Sequence, residues 1–404
     1  MKSACKNCIK EHEQVADSIK PLKINYVQMK QILLLIGMVW FTSKGFAQTN
    51  ESRIDSLMPV RGLAIAAPST GDMDLFLKFI EEELAPAHFN LLILRIDYHY
   101  AYESHLELRE ADPLTKSDVK KIVNLCKKHG IRIAPQIDLL GHQSWAKTTN
   151  KLLSVYPEFD ETPQINTENY SGWPNPDGLY CKSYCPLHPD IHSVIFALMD
   201  ELMDVFETNL FHAGMDEVFY IGDPHCPRCS GRDKAELFAG EVNTLYNHLA
   251  QRNGRLMIWG DRLIDGKTTG IGEWEASMNN TYRAIDMIPK DVFICDWHYE
   301  RPEQTAVYFA IKGFDVATCP WQRPEVAVRQ LNDMLRFRES STPQIAQHFQ
   351  GIIETVWSDT KQFLKNYYDV NTYNQKESDA VTLKRLLEEF KKMETVDDFS
   401  TKNN

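Results

Sequence analysis

Residues 210–217 read LFHAGMDE, an apolar segment that ends in two adjacent acids. Successive side chains of a β-strand point to opposite faces, so His212, Gly214 and Asp216 would share one face and the intervening apolar residues the other. Glu217 would then lie just beyond the strand. The segment therefore predicts a buried strand whose carboxyl end carries two carboxylates.

Seven other segments have the same β-rich, apolar character. Together with the first they predict strands at residues 62–67, 90–97, 131–138, 209–216, 255–261, 291–297, 314–319 and 351–357. Helical patterns occupy residues 73–83, 115–129, 190–207, 233–253, 282–287, 303–312, 325–338 and 380–393. Eight strands alternating with helices predict an α/β fold, a single-domain (β/α)8 TIM barrel. A doubly wound open sheet is the alternative, but residues 66–69 read AAPS and lack the glycine-rich turn typical of that fold.

The first 47 residues have the organisation of an export signal. Met29 and Lys30 precede the apolar run QILLLIGMVWF at 31–41, and Gly45 and Ala47 supply the small residues of a cleavage site. The run is too short to span a bilayer. We predict an upstream mis-start at 1–28, a signal peptide at 29–47, a linker at 48–58, the barrel at 59–395 and a disordered tail at 396–404. The protein would be periplasmic or secreted.

Composition narrows the possible partners. The 404 residues carry a net charge of −12, with 43% hydrophobic and 25% charged residues, which is typical of a globular protein. The acidic balance argues against nucleic acid, since phosphate binding requires clustered Lys and Arg. No long apolar run follows residue 50, so no stable membrane insertion is expected after signal removal. The sequence does not predict the oligomeric state.

Acids recur where the predicted strands end, which is where TIM barrels place their active sites. These acids are Asp97, Asp138, Asp216, Asp261, Asp296 and Asp359. Some acids in such positions cap the following helix instead, and Asp261 is expected to be one of these. Adjacent, partly buried carboxylates such as Asp216 and Glu217 repel each other, which raises the pKa of one and suits it to general acid catalysis.

These residues resemble a known family. The motif HAGMDE at 212–217 matches the His-x-Gly-x-Asp-Glu signature of glycoside hydrolase family 20, the β-N-acetylhexosaminidases, and the order of elements is similar from about residue 61 to about residue 359. The stretch DLLGH at 138–142 is similar to the family's third-strand motif. Trp259, Trp297 and Trp357 fall on the strands where the family places the tryptophans that line the sugar pocket.

The resemblance implies an exported hydrolase that removes terminal β-linked N-acetylhexosamine (GlcNAc or GalNAc). Such enzymes retain configuration through an oxazolinium intermediate formed by the substrate's own acetamido group. Glu217 would protonate the leaving oxygen and later activate water, while Asp216 would orient the acetamido group and stabilise its positive charge. Asp138 and His142 would shape the pocket, and Asp359 would bind distal hydroxyls. The expected partner is a glycan, and this chemistry needs no cofactor and no metal.

The chain departs from the family pattern at two strands. The family's arginine at the end of strand one is missing, and Arg95 on strand two is a candidate substitute. Strand seven ends in TCPW at 318–321 rather than in the family's tyrosine and aspartate, so Tyr299 is a candidate for holding the acetamido carbonyl. The full set of predicted substrate-binding residues is Arg95, Asp97, Asp138, His142, Trp259, Trp297, Tyr299, Trp321, Trp357 and Asp359. The predicted linker is too short for the extra α+β domain of many members, so we expect a barrel-only relative.

Two other functions remain open. With Glu273 or Glu275 as a nucleophile, the protein would be a two-carboxylate retaining glycosidase for sugars without an acetamido group. With the changes at strands one and seven, it could instead be a catalytically silent carbohydrate-binding barrel. Aromatic residues of the insertion at 147–189, including Tyr170, Trp173 and Tyr184, could form subsites or simply pack the loop.

The cysteines suggest a second feature. Cys181 and Cys185 precede the catalytic strand, and Cys226 and Cys229 follow it. Four thiols in two close pairs could form disulfides or a structural metal site in an exported protein, or remain free, and a catalytic role is the weakest interpretation. Cys126 lies on the apolar face of a predicted helix and is expected in the core.

Overall fold

The computed structural model describes residues 53–166, 181–369 and 376–395. The predicted mis-start, signal peptide and C-terminal tail lie outside these residues, as do Tyr170 and Trp173 of the insertion. Within the described ranges, no helix is both long enough and apolar enough to cross a bilayer.

Eight parallel strands close into a barrel, which confirms the predicted (β/α)8 fold. The strands are β1 Val60–Ala66, β2 Leu91–Arg95, β3 Arg132–Leu139, β4 Leu210–Gly214, β5 Arg255–Trp259, β6 Phe293–Trp297, β7 Val316–Cys319 and β8 Phe349–Thr355. Each strand pairs with its chain neighbours, and β8 pairs with β1 to close the ring. A short antiparallel ribbon, Ser144–Trp145 with Thr148–Thr149, follows β3.

Helices surround the barrel. They are α1 Arg53–Leu57, α2 Met73–Phe79, α3 Lys116–Lys128, α4 Lys151–Val155, α5 Ile191–Phe206, α6 Lys234–Ala250, α7 Gly266–Thr269, α8 Thr305–Ile311, α9 Pro324–Ser340, α10 Pro343–Ala346, α11 Thr360–Tyr368 and α12 Asp379–Thr395. Shorter 3-10 turns occupy Thr70–Asp72, Ala85–Ala87, Leu106–Leu108, Pro157–Phe159, Asp261–Leu263 and Thr281–Asp286, and Ile80–Leu84 is a π-helical turn. The helix predicted at 282–287 is thus a 3-10 turn, and α11 was not predicted.

Helix α3 shows how local sequence sets an element. Thr115 and Asp118 form a capping box at its start, in which each side chain binds the other's backbone N–H. Its buried face repeats with the helical period, as predicted, and includes Cys126. Gly130 follows with a positive φ of 69°, which ends the helix at little steric cost.

Two apolar layers hold the strands. Alternate side chains fill the barrel interior, including Val60, Ala64, Leu91, Ile93, Leu210, Met257, Phe293 and Ile353. The intervening side chains pack outward against the helices as a larger cluster. This alternation fixes which residues of each strand can reach the barrel mouth.

The predicted linker at 48–58 is wrong for its last six residues. Residues 53–57 form α1, and the side chains of Ile54 and Met58 are buried in the core. The buried Arg61 guanidinium on β1 donates to the carbonyl oxygens of Met58 and His88 and pairs with Asp55 at 2.7 Å. Because a buried guanidinium needs several acceptors, this network attaches α1 to the amino-terminal end of the barrel.

Candidate active site

The chain leaves β4 through a strained turn that carries both acids. The strand ends at Gly214, two residues earlier than predicted, and the φ angles of Gly214, Met215 and Glu217 are 64°, 67° and 47°. Asp216 and Glu217 are only 6% and 7% exposed. Left-handed backbone at non-glycine residues is costly and concentrates at functional sites. The turn therefore places two buried carboxylates at the carboxyl end of the barrel.

Two glycines allow the ends of β3 and β4 to approach closely. A Cβ on Gly214 would lie 2.4 Å from Asp138 Oδ1, and a Cβ on Gly141 would lie 2.4 Å from the Asp216 carbonyl oxygen. Both distances are far below van der Waals contact. Any other residue at these positions would therefore push the third-strand motif away from the two acids.

His142 joins the two acids. Its Nε2 lies 3.1 Å from Asp216 Oδ2 and 3.1 Å from Glu217 Oε2. Burial alone would lower the His142 pKa, but the Asp216 carboxylate and the hydrogen bonds to both acids raise it well above its usual value. The two carboxylates therefore favour the imidazolium form of His142, which lies between them.

The two oxygens of the Asp216 carboxylate differ in their hydrogen bonds. Burial raises the pKa of its carboxyl, His142 offsets part of the rise, and Asp138 and Asp261 add to it. Asp216 Oδ2 contacts His142, whereas the buried Oδ1 has no hydrogen-bond partner among the described residues. A buried carboxylate oxygen without a donor is costly, so Oδ1 is an acceptor open to a donor from a bound molecule.

Asp97 and Asp138 form a second acidic layer. The Asp138 N–H donates to Asp97 Oδ1 at 2.9 Å, and the Gln136 amide donates to Asp138 Oδ1 at 2.6 Å. Burial and the repulsion from Asp138 raise the pKa of Asp97 to about 7. Asp138 also lies against Gly214, so Asp97 and Asp138 pack next to the turn that carries Asp216.

Asp261 is not the helix cap that we predicted. It is 1% exposed, and its carboxylate accepts from the Glu217 backbone N–H at 3.0 Å, from Arg262 Nε at 2.6 Å and from Trp297 Nε1 at 3.2 Å. The prediction failed because capping is a local rule, whereas these donors come from three different elements. Asp261 therefore positions Glu217 and Trp297, a role that only its place after β5 could have suggested.

Aromatic residues line one side of the mouth. The ring centroids of Trp259 and Trp357 lie 5.7 Å apart. The ring centroid of Tyr299 lies 4.9 Å from that of Trp297 and 5.3 Å from that of Trp321. The Trp357 indole N–H donates to the Tyr299 hydroxyl at 2.7 Å. The five aromatic residues predicted from the sequence therefore form one connected wall.

The remaining predicted residues lie beside this wall. The Arg95 guanidinium stacks on Trp357 at 4.6 Å, and it lines a cavity of about 480 Å³ together with Asp97 and Asp359. Asp359 is exposed, and its side chain accepts from the Gln362 N–H at 2.9 Å as the cap of α11. The capping role predicted for Asp261 thus falls to Asp359, whose role toward a sugar remains a prediction.

The acids proposed for a two-carboxylate mechanism are placed differently. Both oxygens of Glu275 are engaged, one by His298 at 2.8 Å and one by the Tyr299 N–H at 3.1 Å. Glu273 is exposed on the same loop. Neither is held beside Glu217 by any contact found among the described residues.

Among the residues that the structure describes, two groups of side chains could hold a metal. One is His142, Cys181 and Glu217, whose donor atoms lie within 4.8 Å of one another. Burial raises the pKa of the Cys181 thiol to about 11, and this thiol donates to the Glu217 carbonyl oxygen at 3.4 Å, so it is a poor ligand. The other group contains Cys185, Cys226 and Cys229. The four cysteines of the two sequence pairs thus separate, since Cys181 faces the acids.

The fold and the paired acids define a TIM-barrel protein with a glycosidase-like site, and comparison with known proteins identifies its family. A sequence model of glycosyl hydrolase family 20, catalytic domain, matches residues 98–376. The chain therefore belongs to glycosyl hydrolase family 20.

Individual relatives are distant. A β-hexosaminidase of Akkermansia muciniphila is 31% identical over 117 residues, 28% of this chain and 21% of that protein. A β-hexosaminidase of Vibrio furnissii is 24% identical over 213 residues, 52% of this chain and 30% of that protein. This chain thus spans less than a third of the length of either relative.

Solved structures share the fold. The chitobiase of Flavobacterium johnsoniae superposes with a TM-score of 0.57 at 18% identity, over 83% of this chain and 50% of that one. A family 20 exo-β-N-acetylglucosaminidase of Vibrio harveyi, in complex with N-acetylglucosamine, superposes with a TM-score of 0.55 at 14% identity, over 83% of this chain and 58% of that one.

Proposed function

We propose that this protein is a β-N-acetylhexosaminidase that releases terminal β-linked GlcNAc or GalNAc with retention of configuration. The observation that carries the proposal is the buried cluster of Asp216, His142 and Glu217, in which Asp216 Oδ1 has no donor from the part of the chain that the structure describes. A substrate acetamido N–H would supply that donor. Membership of family 20 supports the same chemistry.

Each acid has a distinct task in this proposal. Glu217 protonates the glycosidic oxygen as the bond breaks and then removes a proton from the attacking water. Asp216 binds the acetamido N–H, which aims the acetamido oxygen at the anomeric carbon and stabilises the positive charge of the oxazolinium ion. Because the nucleophile is part of the substrate, its effective concentration is high. His142 keeps both carboxylates in place.

The aromatic wall and Arg95 support binding of a sugar. Sugar rings present apolar C–H faces that pack against flat indole rings, and the buried Trp259 and Trp321 indole N–H groups have no partner among the described residues. Burial keeps Tyr299 protonated, because it raises the pKa of the phenol well above its usual value, so its hydroxyl can donate to an acetamido carbonyl. Arg95 lies directly opposite Ala66 in the register of β1 and β2, next to the position of the missing family arginine.

The test compares two substrates and two matched variants. Wild-type protein should hydrolyse an aryl N-acetyl-β-glucosaminide and leave the corresponding aryl β-glucoside intact. Glu217→Gln should lower kcat on the acetylated substrate by about 10²-fold or more, since general acid–base catalysis contributes roughly 10²–10⁴. Glu273→Gln is the control and should retain activity.

Other outcomes would favour the rival functions. Turnover of the plain glucoside, with loss of activity in Glu273→Gln or Glu275→Gln, would indicate a two-carboxylate glycosidase. Binding of chitooligosaccharides without turnover of any glycoside would indicate a silent carbohydrate-binding barrel. A thiazoline mimic of the oxazolinium ion should inhibit competitively only if the acetamido mechanism operates.

A further inference from the structure

A second cluster of reactive side chains lies apart from the catalytic acids. It consists of Glu161, Cys185, Cys226 and Cys229, all buried, and their donor atoms lie within 4.8 Å of one another. Glu161 and Cys185 belong to the insertion between β3 and β4, whereas Cys226 and Cys229 belong to the loop that follows the two acids. The cluster therefore joins the two loops that flank the active site.

The spacing of the sulfur atoms matches a tetrahedral metal site. Cys185 Sγ lies 3.5 Å from Cys229 Sγ and 3.6 Å from Cys226 Sγ. A zinc–thiolate bond of about 2.3 Å places the sulfurs of a tetrahedral site about 3.8 Å apart. One disulfide among the three cysteines would leave the third sulfur and a carboxylate buried together, whereas a metal ion engages all four groups.

Glu161 gives an independent indication of a cation. It is 0% exposed and forms no ion pair with any Lys, Arg or His in the described part of the chain. Its Oε1 accepts from the Asp223 N–H at 3.0 Å. Its buried Oε2 has no hydrogen-bond partner that meets the usual geometry among the described residues, and the neighbours of the carboxylate on that side are the thiols of Cys226 and Cys229. A buried, unpaired carboxylate is strongly unfavourable unless a cation or a proton neutralises it.

We propose that Glu161, Cys185, Cys226 and Cys229 bind one structural Zn²⁺ ion. Three thiolates and a carboxylate fill a closed tetrahedral site, and soft sulfur ligands select zinc over magnesium or calcium. The ion attaches the insertion to the loop after β4. It thereby fixes the segment at 181–185, whose Cys181 thiol contacts the Glu217 carbonyl oxygen. This site does not depend on the proposed hydrolase activity.

Metal content of the full-length protein tests the proposal. The chain is purified under reducing conditions, incubated with Zn²⁺ and dialysed, and zinc is measured by mass spectrometry. One equivalent should remain per chain, and Co²⁺ in its place should give the charge-transfer and d–d absorption bands of tetrahedral cobalt thiolates. Cys226→Ser and Cys229→Ser should lose the bound zinc, and Glu161→Gln should bind it at least tenfold more weakly. Cys126→Ser, which removes a buried thiol elsewhere, should retain one equivalent.

The wild-type measurement stands even if a variant fails to fold. Reduced, folded wild-type protein that retains no zinc would overturn the proposal. So would full zinc affinity in Cys226→Ser, or a disulfide between two of the three cysteines in protein exported under native conditions. Removal of zinc by a chelator should lower the melting temperature of the wild type and leave that of Cys226→Ser unchanged.

Discussion

Asp261 and Asp359 each follow a barrel strand, yet their environments differ completely. Asp359 is exposed and binds one backbone N–H of its own helix. Asp261 is buried and binds donors from Glu217, Arg262 and Trp297. Local sequence could not separate the two, because both lie where a capping acid is expected. Only the closure of the barrel brings the three donors of Asp261 together.

The role of Asp261 is testable by a near-isosteric change. In Asp261→Asn, the side chain keeps its shape but loses its charge and one acceptor. Its amide oxygen can replace Oδ2, which accepts from Arg262 and the Glu217 N–H, or Oδ1, which accepts from the Trp297 indole N–H, but it cannot replace both. If the protein hydrolyses aryl N-acetyl-β-glucosaminides, kcat should fall by up to about 10²-fold, the loss that a misplacement of about 1 Å can cause, and KM should change little. Asp265→Asn, which makes the same change at the N-cap of the short helix α7, where asparagine caps as well as aspartate, is the matched control and should leave kcat unchanged. An equal kcat in the two variants would contradict the positioning role.

At the scale of elements, ion pairs and hydrogen bonds of a buried histidine connect neighbouring βα units. His298, which is 1% exposed, follows β6 and lies 2.8 Å from Glu275 on the loop after β5 and 3.2 Å from Asp296. Its Nε2 also lies 2.7 Å from Thr305 at the start of α8. Burial alone would lower the His298 pKa, but Asp296 and Glu275 raise it to about 10. The imidazolium thus links three consecutive elements.

Removing this charge should destabilise the barrel. His298→Gln leaves the buried Asp296 and the partly buried Glu275 without their cation, which costs about 3–5 kcal/mol of unfolding free energy. The pKa of His298 is about 10 in the folded protein and near 6.5 in the unfolded chain. The free energy of unfolding that the charged pairing contributes is therefore fully present below about pH 6.5 and is lost as the pH rises through about 10.

Denaturant unfolding at pH 6 and pH 10 measures the effect. The difference between wild type and His298→Gln should be largest at pH 6 and should shrink toward pH 10. His225→Gln removes an ion pair to Asp223 at a histidine that is 69% exposed, and it should cost less than about 1 kcal/mol at either pH. A His298→Gln deficit that does not depend on pH would contradict the charged pairing.

At the scale of the whole molecule, the described residues form the barrel and its surrounding helices. The first 47 residues lie outside them, and their sequence indicates a separate role. We propose that residues 29–47 direct export, because a basic start, an apolar run of 11 residues and small residues at the cleavage site follow one another there. The full coding sequence expressed in a bacterial host should yield extracytoplasmic protein that begins at Gln48, as determined by N-terminal sequencing. Intact protein that stays in the cytoplasm would contradict export, and a Leu34→Arg change in the apolar run is the negative control.

The local pattern of residues was sufficient to predict the barrel fold and the position of the two acids at the end of β4. All eight strands were predicted with boundaries within two residues of those observed, because alternating burial and helical periodicity are written into neighbouring residues. Helix α11 was missed, since its apolar face is short and its cap, Asp359, had been assigned to the sugar site.

The tertiary structure decided how distant residues combine. The bridge from His142 to both acids, the anchoring of Glu217 by Asp261, and the grouping of Glu161 with three cysteines each join residues from different βα loops. No local pattern encodes such distances, because they depend on strand register and on where the barrel closes. The architecture and the two acids could be predicted from local patterns of residues, whereas the groups that hold those acids in place depend on the closure of the barrel.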